Sequence, residues 1–415
     1  MGTHERVVIT GWGALTPLGL NVEQFWEGVK SSANGIAPLT LIDASKHNTR
    51  FGGEVKGFVP EDYIERREMR RMDRFVQLAV VASDEAVKHS RLEINEENRE
   101  RVGVIIGCGV GGLGTWEREY TTFIESGPDR VSPFLIPMMI ANMASGHVSI
   151  RHGARGPNTS VVSACTSSAH GLAVAYDMLR RGDADIMISG GTEAPISHSA
   201  MAGFGNMRAL SRRNDDLEHA SRPFDATRDG FVIGEGAGIV ILESLTSAQS
   251  RGATIYGEML SHGLTADAYH MTNMPEDGVG IGSAMKLALQ RAGIGPQDVQ
   301  YINAHGTSTP TNDRTETAAI KGVFGEHAYK VPVSSTKSQI GHLLGAGSAV
   351  EFIATALGLQ HQIMPPTINL QNPDPDCDLD YITEGARSAT MNIAMTNSAG
   401  FGGHNASLIL RRWAE

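Results

Sequence analysis

Short β-branched runs alternate with longer stretches of 3.6-residue apolar periodicity along nearly the whole chain, and few architectures accept that pattern. Strands are expected at Val7–Thr10, Val102–Ile106, Thr159–Val162, Ile186–Ser189 and Gly238–Leu242, then at Ile255–Gly257, Tyr301–Ala304, Val331–Ser334, Asn392–Asn397 and Ala406–Leu410. Helices are expected at Glu23–Ser31, Met72–His89, Asn142–Arg151, Ser167–Arg181, Gly282–Arg291, Arg314–Val323 and Ser348–Gln360. The succession is that of a layered α/β protein with mixed or parallel sheets. Leu245–Gly252 reads as a seam, because a new strand and helix succession begins after it, dividing the chain into 1–252 and 253–415. Each half places a reactive side chain after a strand and near a helix start. Two like halves would bring two such corners to one shared site.

With 415 residues, 41% hydrophobic and 20% charged, the chain can bury a large core. The formal net charge of −11 argues against nucleic acid, and an acidic partner would need a local basic patch. Three cysteines (Cys108, Cys165, Cys377) form no C-x-x-C and cannot all pair, which fits a reducing compartment. No charged leader or apolar segment precedes Arg6–Thr10, and no run is long enough to span a bilayer. A cytoplasmic location without membrane attachment is therefore expected.

Cys165 stands in the small-residue corner Val161-Val162-Ser163-Ala164-Cys165-Thr166-Ser167-Ser168-Ala169-His170. Leu172, Ala175, Tyr176 and Leu179 then follow helical spacing to Arg180-Arg181-Gly182, a C-terminal signature. A thiol beside the first turn of a helix meets free backbone N–H groups and a dipole that favour the thiolate. A small cysteine in apolar surroundings is ordinarily core filler. Two distant histidines change that reading. Asn303-Ala304-His305-Gly306-Thr307-Ser308-Thr309-Pro310 ends a strand with a histidine and hydroxyls that would also cap the next helix. His342 lies between Gly341 and a Leu-Leu-Gly-Ala-Gly run, with Lys337 before it and Glu316 after the first histidine. Cysteine and two histidines on three strand-to-helix corners are equipment for acyl transfer. Asn397-Ser398-Ala399-Gly400-Phe401-Gly402-Gly403-His404-Asn405 could point backbone N–H groups into such a site and let Phe401 swing.

Gly107-Cys108-Gly109-Val110-Gly111-Gly112 matches the G-x-G-x-x-G dinucleotide pattern, but the following βαβ unit and its acidic residue are missing. Gly234–Gly238 reads as a tightly packed turn. No G-x-S-x-G, H-E-x-x-H or Walker pattern occurs.

Val161–His170, Asn303–Pro310, Ser335–Gly345 and Asn397–Asn405, with Arg6–Gly19, together resemble the β-ketoacyl-acyl carrier protein synthases of type II fatty acid synthesis, the elongating class (synthase II) fitting best. The resemblance covers nearly the whole chain and implies the thiolase fold: two pseudo-symmetric α/β halves in a five-layer αβαβα sandwich, usually a homodimer. It implies no metal and no cofactor beyond the phosphopantetheine that carries the substrates. By the same resemblance Cys165 is the nucleophile, and His305 and His342 hold the malonyl thioester carbonyl. The backbone N–H groups of Cys165 and Phe401 form the oxyanion hole, and Phe401 is the gate. Lys337 and Glu316 are supporting residues, and Thr307 and Thr309 contact the pantetheine arm. Asparagine in place of the second histidine would resemble the initiating class, and a second cysteine a thiolase.

The resemblance also implies acyl carrier protein as partner, docking on Arg67, Arg70 and Arg71 with help from Arg130 and Arg208. The wider basic run includes Arg66 and Arg74, interrupted by Glu65, Glu68 and Asp73, and a solvated helix face explains the same residues. Asp129 departs from the basic pair expected beside Arg130. In the acyl pocket Phe204 is kept, whereas Val110 and Leu135 stand where the family often has isoleucine and phenylalanine. A longer or wider channel for long or branched acyl groups is expected. Two rival readings share the fold: a polyketide-type ketosynthase, and a non-catalytic chain-length partner that has lost the nucleophile.

Overall fold

The computed structural model describes residues 5–414. Ten strands form one sheet system: β1 (Val7–Leu15), β2 (Val102–Gly107), β3 (Asn158–Val161), β4 (Ile186–Glu193), β5 (Gly236–Ser244), β6 (Gly257–Ala266), β7 (Tyr301–Asn303), β8 (Val333–Ser334), β9 (Ile393–Gly400) and β10 (His404–Arg412). Their spatial order is β8-β7-β9-β10-β6-β1-β5-β4-β2-β3. The first five strands order as β1-β5-β4-β2-β3, antiparallel, antiparallel, parallel, parallel. The last five repeat this as β6-β10-β9-β7-β8 with the same directions. The weak sequence repeat is thus a true topological duplication. The halves join where Val7–Ile9 pairs with Gly257–Met259.

Helices complete five layers. α1 (Arg74–Ser90) covers β1, β5 and β4 with a core of Phe75, Val76, Leu78 and Ala79. α2 (Ser167–Arg181) and, late in the chain, α6 (Gly347–His361) pack on each other between the two halves of the sheet. α4 (Val279–Ala292) and α5 (Pro310–Phe324) close the far face around Ile281, Met285, Ile320 and Phe324. α6 is buried from Gly347 to Leu359, as a helix apolar on all sides must be. This is the layered α/β sandwich of two pseudo-symmetric halves that the resemblance implies.

Some expected boundaries move. The strand expected at Ile255–Gly257 instead runs from Gly257 to Ala266. Ser261 and His262 are buried within it, so its apolar pattern is broken by polar residues that bond neighbouring elements. The seam holds a short helix, Leu245–Ser250. Gly234–Gly238 is not a plain turn, because Gly236 opens β5 and a Cβ on Gly238 would lie 2.9 Å from the Val350 amide of α6. Besides short turns of helix, two longer helices were not expected. One is Leu113–Ser126, and the other is α3 (His198–Asn206), whose internal glycines weaken its helical signal.

Candidate active site

The Cys165 corner follows β3 directly. A single turn of 3₁₀ helix, Ala164–Thr166, leads into α2, and Ala164 holds a left-handed φ of 52°. Such backbone strain in a non-glycine residue persists only where surrounding contacts over-determine it. Here they do. Ser163 N–H donates to Ser167 Oγ at 2.9 Å, Thr166 Oγ1 donates to the Ser163 carbonyl at 2.7 Å, and Ser348 Oγ donates to the Cys165 carbonyl at 3.3 Å. The β9–β10 turn sits on this corner: a Cβ on Gly400 would approach the Ser163 carbonyl at 3.0 Å and the Cys165 amide at 3.2 Å. Glycine there is what lets Phe401 come close.

The half-buried Cys165 thiol is pushed up to about 11, mainly by burial. The Lys337 cation and the backbone N–H groups of Phe401 and Cys165 work the other way, and Glu193 adds to the rise. Burial therefore outweighs the helix terminus, contrary to the sequence expectation of a stabilised thiolate. At rest Cys165 is a thiol. The same two N–H groups can bind an oxyanion once a carbonyl carbon is attacked.

His305 lies two residues past β7, and His342 lies eight residues past β8, after a helical turn at Lys337–Ile340. Their rings meet edge to face with centroids 5.3 Å apart. Both titrate well below the ordinary histidine range, first because of burial and then because Lys337 is nearby. Both rings are therefore neutral. Their buried Nδ1 atoms have no hydrogen-bond partner among the described residues, and unsatisfied polar groups of this kind concentrate at functional sites. Lys337 is itself buried and donates from Nζ to Glu351 Oε1 at 2.5 Å. Glu316 accepts from the backbone N–H groups of His305 and Gly306, both at 2.9 Å, so it fixes the backbone under the first histidine.

A cavity of about 380 Å³ gathers these groups. Cys165, His305, His342 and Phe401 line it, as do Thr307, Thr309, Val110 and Phe204. The Thr307 and Thr309 hydroxyls lie 3.0 Å apart, and Thr309 also caps α5 through the Asn312 amide. Phe204 stands edge-on to Phe231 at 5.4 Å and 6.4 Å from Phe401. Leu135 does not line this cavity. It is half-buried in a short helix, Leu135–Met139, outside it.

The basic residues do not form one patch. Arg66, Arg67, Arg70 and Arg71 are exposed around a surface hollow with Ser132, Pro133 and Phe134, and the Arg71 guanidinium lies 4.9 Å over the Phe134 ring. Arg74 does not belong to this patch, since it pairs with buried Glu235 at 2.7 Å. Asp73 caps α1 and binds Thr115 rather than screening the arginines. Arg130 is exposed beyond the Leu113–Ser126 helix, and Arg208 lies on the active-site rim.

Three functional features were not foreseen from the sequence. Glu351 is one, and a lone acid inside the small and apolar run of α6 was its available signal. The second is Glu193, whose carboxylate accepts from the amides of Gly109 (2.6 Å), Val110 (3.1 Å), Gly111 (3.3 Å) and Gly345 (3.1 Å). The glycine-rich segment that mimics a dinucleotide motif is an anion nest filled by the chain's own acid. The third is the 267–275 segment, whose Asp267, Thr272, Asn273 and Met274 line the cavity.

Residues 4–248 match the family described as "Beta-ketoacyl synthase, N-terminal domain", and residues 256–371 match its C-terminal domain. The chain is 52% identical over 409 residues to the 3-oxoacyl-[acyl-carrier-protein] synthase 2 of Synechocystis sp., covering 99% of this chain and 98% of that protein. It is 51% identical over 413 residues to the enzyme of the same name from Staphylococcus aureus strain COL, covering both fully. Among solved structures it is similar to a β-ketoacyl synthase from Burkholderia phymatum (TM-score 0.91, 35% identity, 99% of this chain and 100% of that one). It is also similar to a type II polyketide ketosynthase solved with its acyl-carrier protein (TM-score 0.92, 34% identity, the same coverage). With both family domains matched and full-length relatives above 50% identity, the chain belongs to the β-ketoacyl synthase family.

Proposed function

We propose that this protein elongates acyl chains by decarboxylative condensation of an acyl-[acyl carrier protein] with malonyl-[acyl carrier protein], giving 3-oxoacyl-[acyl carrier protein]. The observation that carries the reading is the meeting of Cys165, His305 and His342 in one cavity, with both imidazoles held neutral. Cys165 sulfur attacks the acyl thioester carbon, the bond to the pantetheine sulfur breaks, and the thiol proton ends on that sulfur. The N–H groups of Cys165 and Phe401 take the intermediate's negative oxygen. Malonyl thioester then binds with its carbonyl on His305 and His342. Neutral donors stabilise the enolate left by loss of CO₂ without themselves carrying charge. The enolate carbon attacks the acyl-cysteine, and Cys165 leaves as thiolate and takes up one proton.

Lys337 supports this set by keeping the histidines neutral, Glu316 by fixing the His305 backbone, and Thr307 with Thr309 by holding the pantetheine arm. The carrier protein docks on Arg67, Arg70 and Arg71, with Arg130 and Arg208 as further contacts. The chain works as a homodimer. β3 is an edge strand, Val162 beside it is 61% exposed, and Ile150, Ile136 and Ile124 are exposed at 76%, 58% and 64%. A free edge flanked by large apolar side chains is a surface that a second copy would cover. Val110 in the acyl pocket leaves room for long or branched acyl groups. A polyketide role draws support from the 34% identical type II polyketide ketosynthase, whereas the fatty-acid reading draws on relatives above 50%.

Incubation with acyl- and malonyl-carrier proteins, following CO₂ and product mass, tests the proposal. A product longer by two carbons is expected, absent with Cys165→Ala while some malonyl decarboxylation persists. No extended product from the unaltered protein would overturn it.

A further inference from the structure

A second hollow, of about 400 Å³, opens where the C-terminal end of α2 meets β6 and the last turn of α4. It shares no lining residue with the catalytic cavity. Cys165 precedes α2 and the hollow lies at its other end, so the 15 residues of the helix separate the two by roughly 20 Å. Arg180, Arg181, Arg291 and His262 line the hollow against a single carboxylate, Asp177. In a chain of net charge −11 this is a local field that attracts anions.

Two of the arginines are braced by buried side chains and paired with no carboxylate. The Tyr176 hydroxyl donates to the Leu260 carbonyl at 2.6 Å and accepts from Arg180 Nη1 at 2.8 Å. The Arg180 guanidinium also lies 5.4 Å over the Tyr176 ring. Arg291 Nη1 donates to the His262 carbonyl at 3.2 Å and to the His262 ring at 3.1 Å. A guanidinium has no acceptor, so His262 Nδ1 accepts this bond and Nε2 donates to Asp177 Oδ1 at 3.1 Å. The acids nearby are already engaged. Asp177 pairs with His262, Asp183 pairs with Arg181 at 2.8 Å, and Glu258 on the same strand as His262 is held by Arg6 and Arg411. Among the described residues Arg180 and Arg291 form no ion pair. Arg180 Nε is removed from solvent and has no hydrogen-bond partner.

We propose that this hollow binds a small phosphorylated compound, whose phosphate oxygens take the free N–H donors of Arg180 and Arg291. A planar guanidinium fork matches two phosphate oxygens at once. Tyr176 and His262 hold the forks before any ligand arrives, so less side-chain freedom is lost on binding. The volume accommodates a phosphate ester or a diphosphate. Arg181, on the exposed rim, adds attraction at longer range. The site is independent of the acyl-transfer reading, since no group of the catalytic cavity takes part in it.

Calorimetric titration of the full chain with pyrophosphate, at about 0.15 M salt to screen loose surface attraction, tests the proposal. One saturable site per chain is expected. Arg180→Gln and Arg291→Gln should each weaken it by about tenfold or more. Tyr176→Phe keeps both charges and removes only the brace on Arg180, and should weaken binding by roughly three- to tenfold. Arg67→Gln/Arg71→Gln should leave the affinity unchanged, which separates this site from the other basic hollow. Pyrophosphate should also raise the melting temperature of the unaltered chain and not that of Arg180→Gln/Arg291→Gln. Uptake that does not saturate, or a site that survives in Arg180→Gln/Arg291→Gln, would overturn the proposal. So would sulfate binding as tightly as pyrophosphate, or equal loss of affinity in Arg67→Gln/Arg71→Gln.

Discussion

Lys337 and Glu351 form an ion pair inside the protein, Nζ to Oε1 at 2.5 Å, with both side chains almost wholly removed from solvent. Burial pushes the Glu351 carboxyl up to about 7 while the lysine pulls it back. The pair joins the corner that leads to His342 to α6 of the central layer. Removing one partner leaves a buried charge uncompensated, at a cost of about 3–5 kcal/mol. Glu351→Leu should lower stability by that amount in denaturant unfolding, and Lys337→Met/Glu351→Leu should regain most of it. The double variant should still react more slowly at Cys165, because the cation that opposes the rise of the thiol is gone. Equal stabilities of the single and double variants would contradict this.

The high thiol pKa has a direct kinetic signature. Thiolate is the reactive form, so iodoacetamide labelling of Cys165 should rise about tenfold per pH unit from pH 7 to 10. The other two cysteines are buried, and peptide mapping separates them. A plateau already reached near pH 7 would show a stabilised thiolate instead.

The histidine pair should affect one half-reaction more than the other. His305→Ala and His342→Ala should each lower condensation by about a hundredfold or more, with Cys165 acylation much less affected. Since both rings titrate well below the usual range, the condensation rate should show no break from their protonation between pH 8 and 6. A clear break near 6.5 that disappears in either variant would refute the neutral pair.

Charge reversal at the surface hollow should act on encounter rather than chemistry. Arg67→Glu and Arg71→Glu should raise KM for the acyl carrier by about tenfold and steepen no pH profile. A fall in kcat with unchanged KM would place these arginines elsewhere in the cycle.

Glu85 gives a stability prediction remote from the site. It accepts from the amides of Ala14 and Val22, both at 2.9 Å, yet burial raises its carboxyl to about 7. The folded chain therefore holds a proton that the unfolded chain releases between about pH 4.5 and 7. Stability from this group is present below that window and is lost as pH rises through it, by on the order of 2–3 kcal/mol. Glu85→Gln should flatten that part of the stability profile in chemical unfolding measured from pH 5 to 8. An unaltered slope would mean Glu85 is ionised throughout.

Much of the architecture was readable because its signals are local. Ser167–Arg181 is helical over the expected span, since apolar spacing and the Arg-Arg-Gly ending agree. The two halves were visible as corners bearing Cys165 and His342, and the shared strand order gives that hint its physical content. Other features depend on distant partners. Ser261 and His262 break the pattern of β6 because each bonds a neighbouring helix. The thiol state of Cys165 was misjudged, because a helix terminus can be seen in sequence and the extent of burial cannot. Arg74 looked like its neighbours until Glu235, far along the chain, claimed it. The glycine-rich 107–112 segment resembled a phosphate cradle, and only the fold brings Glu193 into it.

The central claim is that Cys165 carries the acyl chain while the histidine pair generates the carbon nucleophile. Intact-protein mass spectrometry after mixing with acyl-carrier protein alone should show one added acyl group, mapped to the Cys165 peptide. Adding malonyl-carrier protein should then discharge that group with one CO₂ released per acyl chain and a 3-oxoacyl product two carbons longer. An acyl group on any other residue, or CO₂ released while the acyl-cysteine persists, would contradict the account.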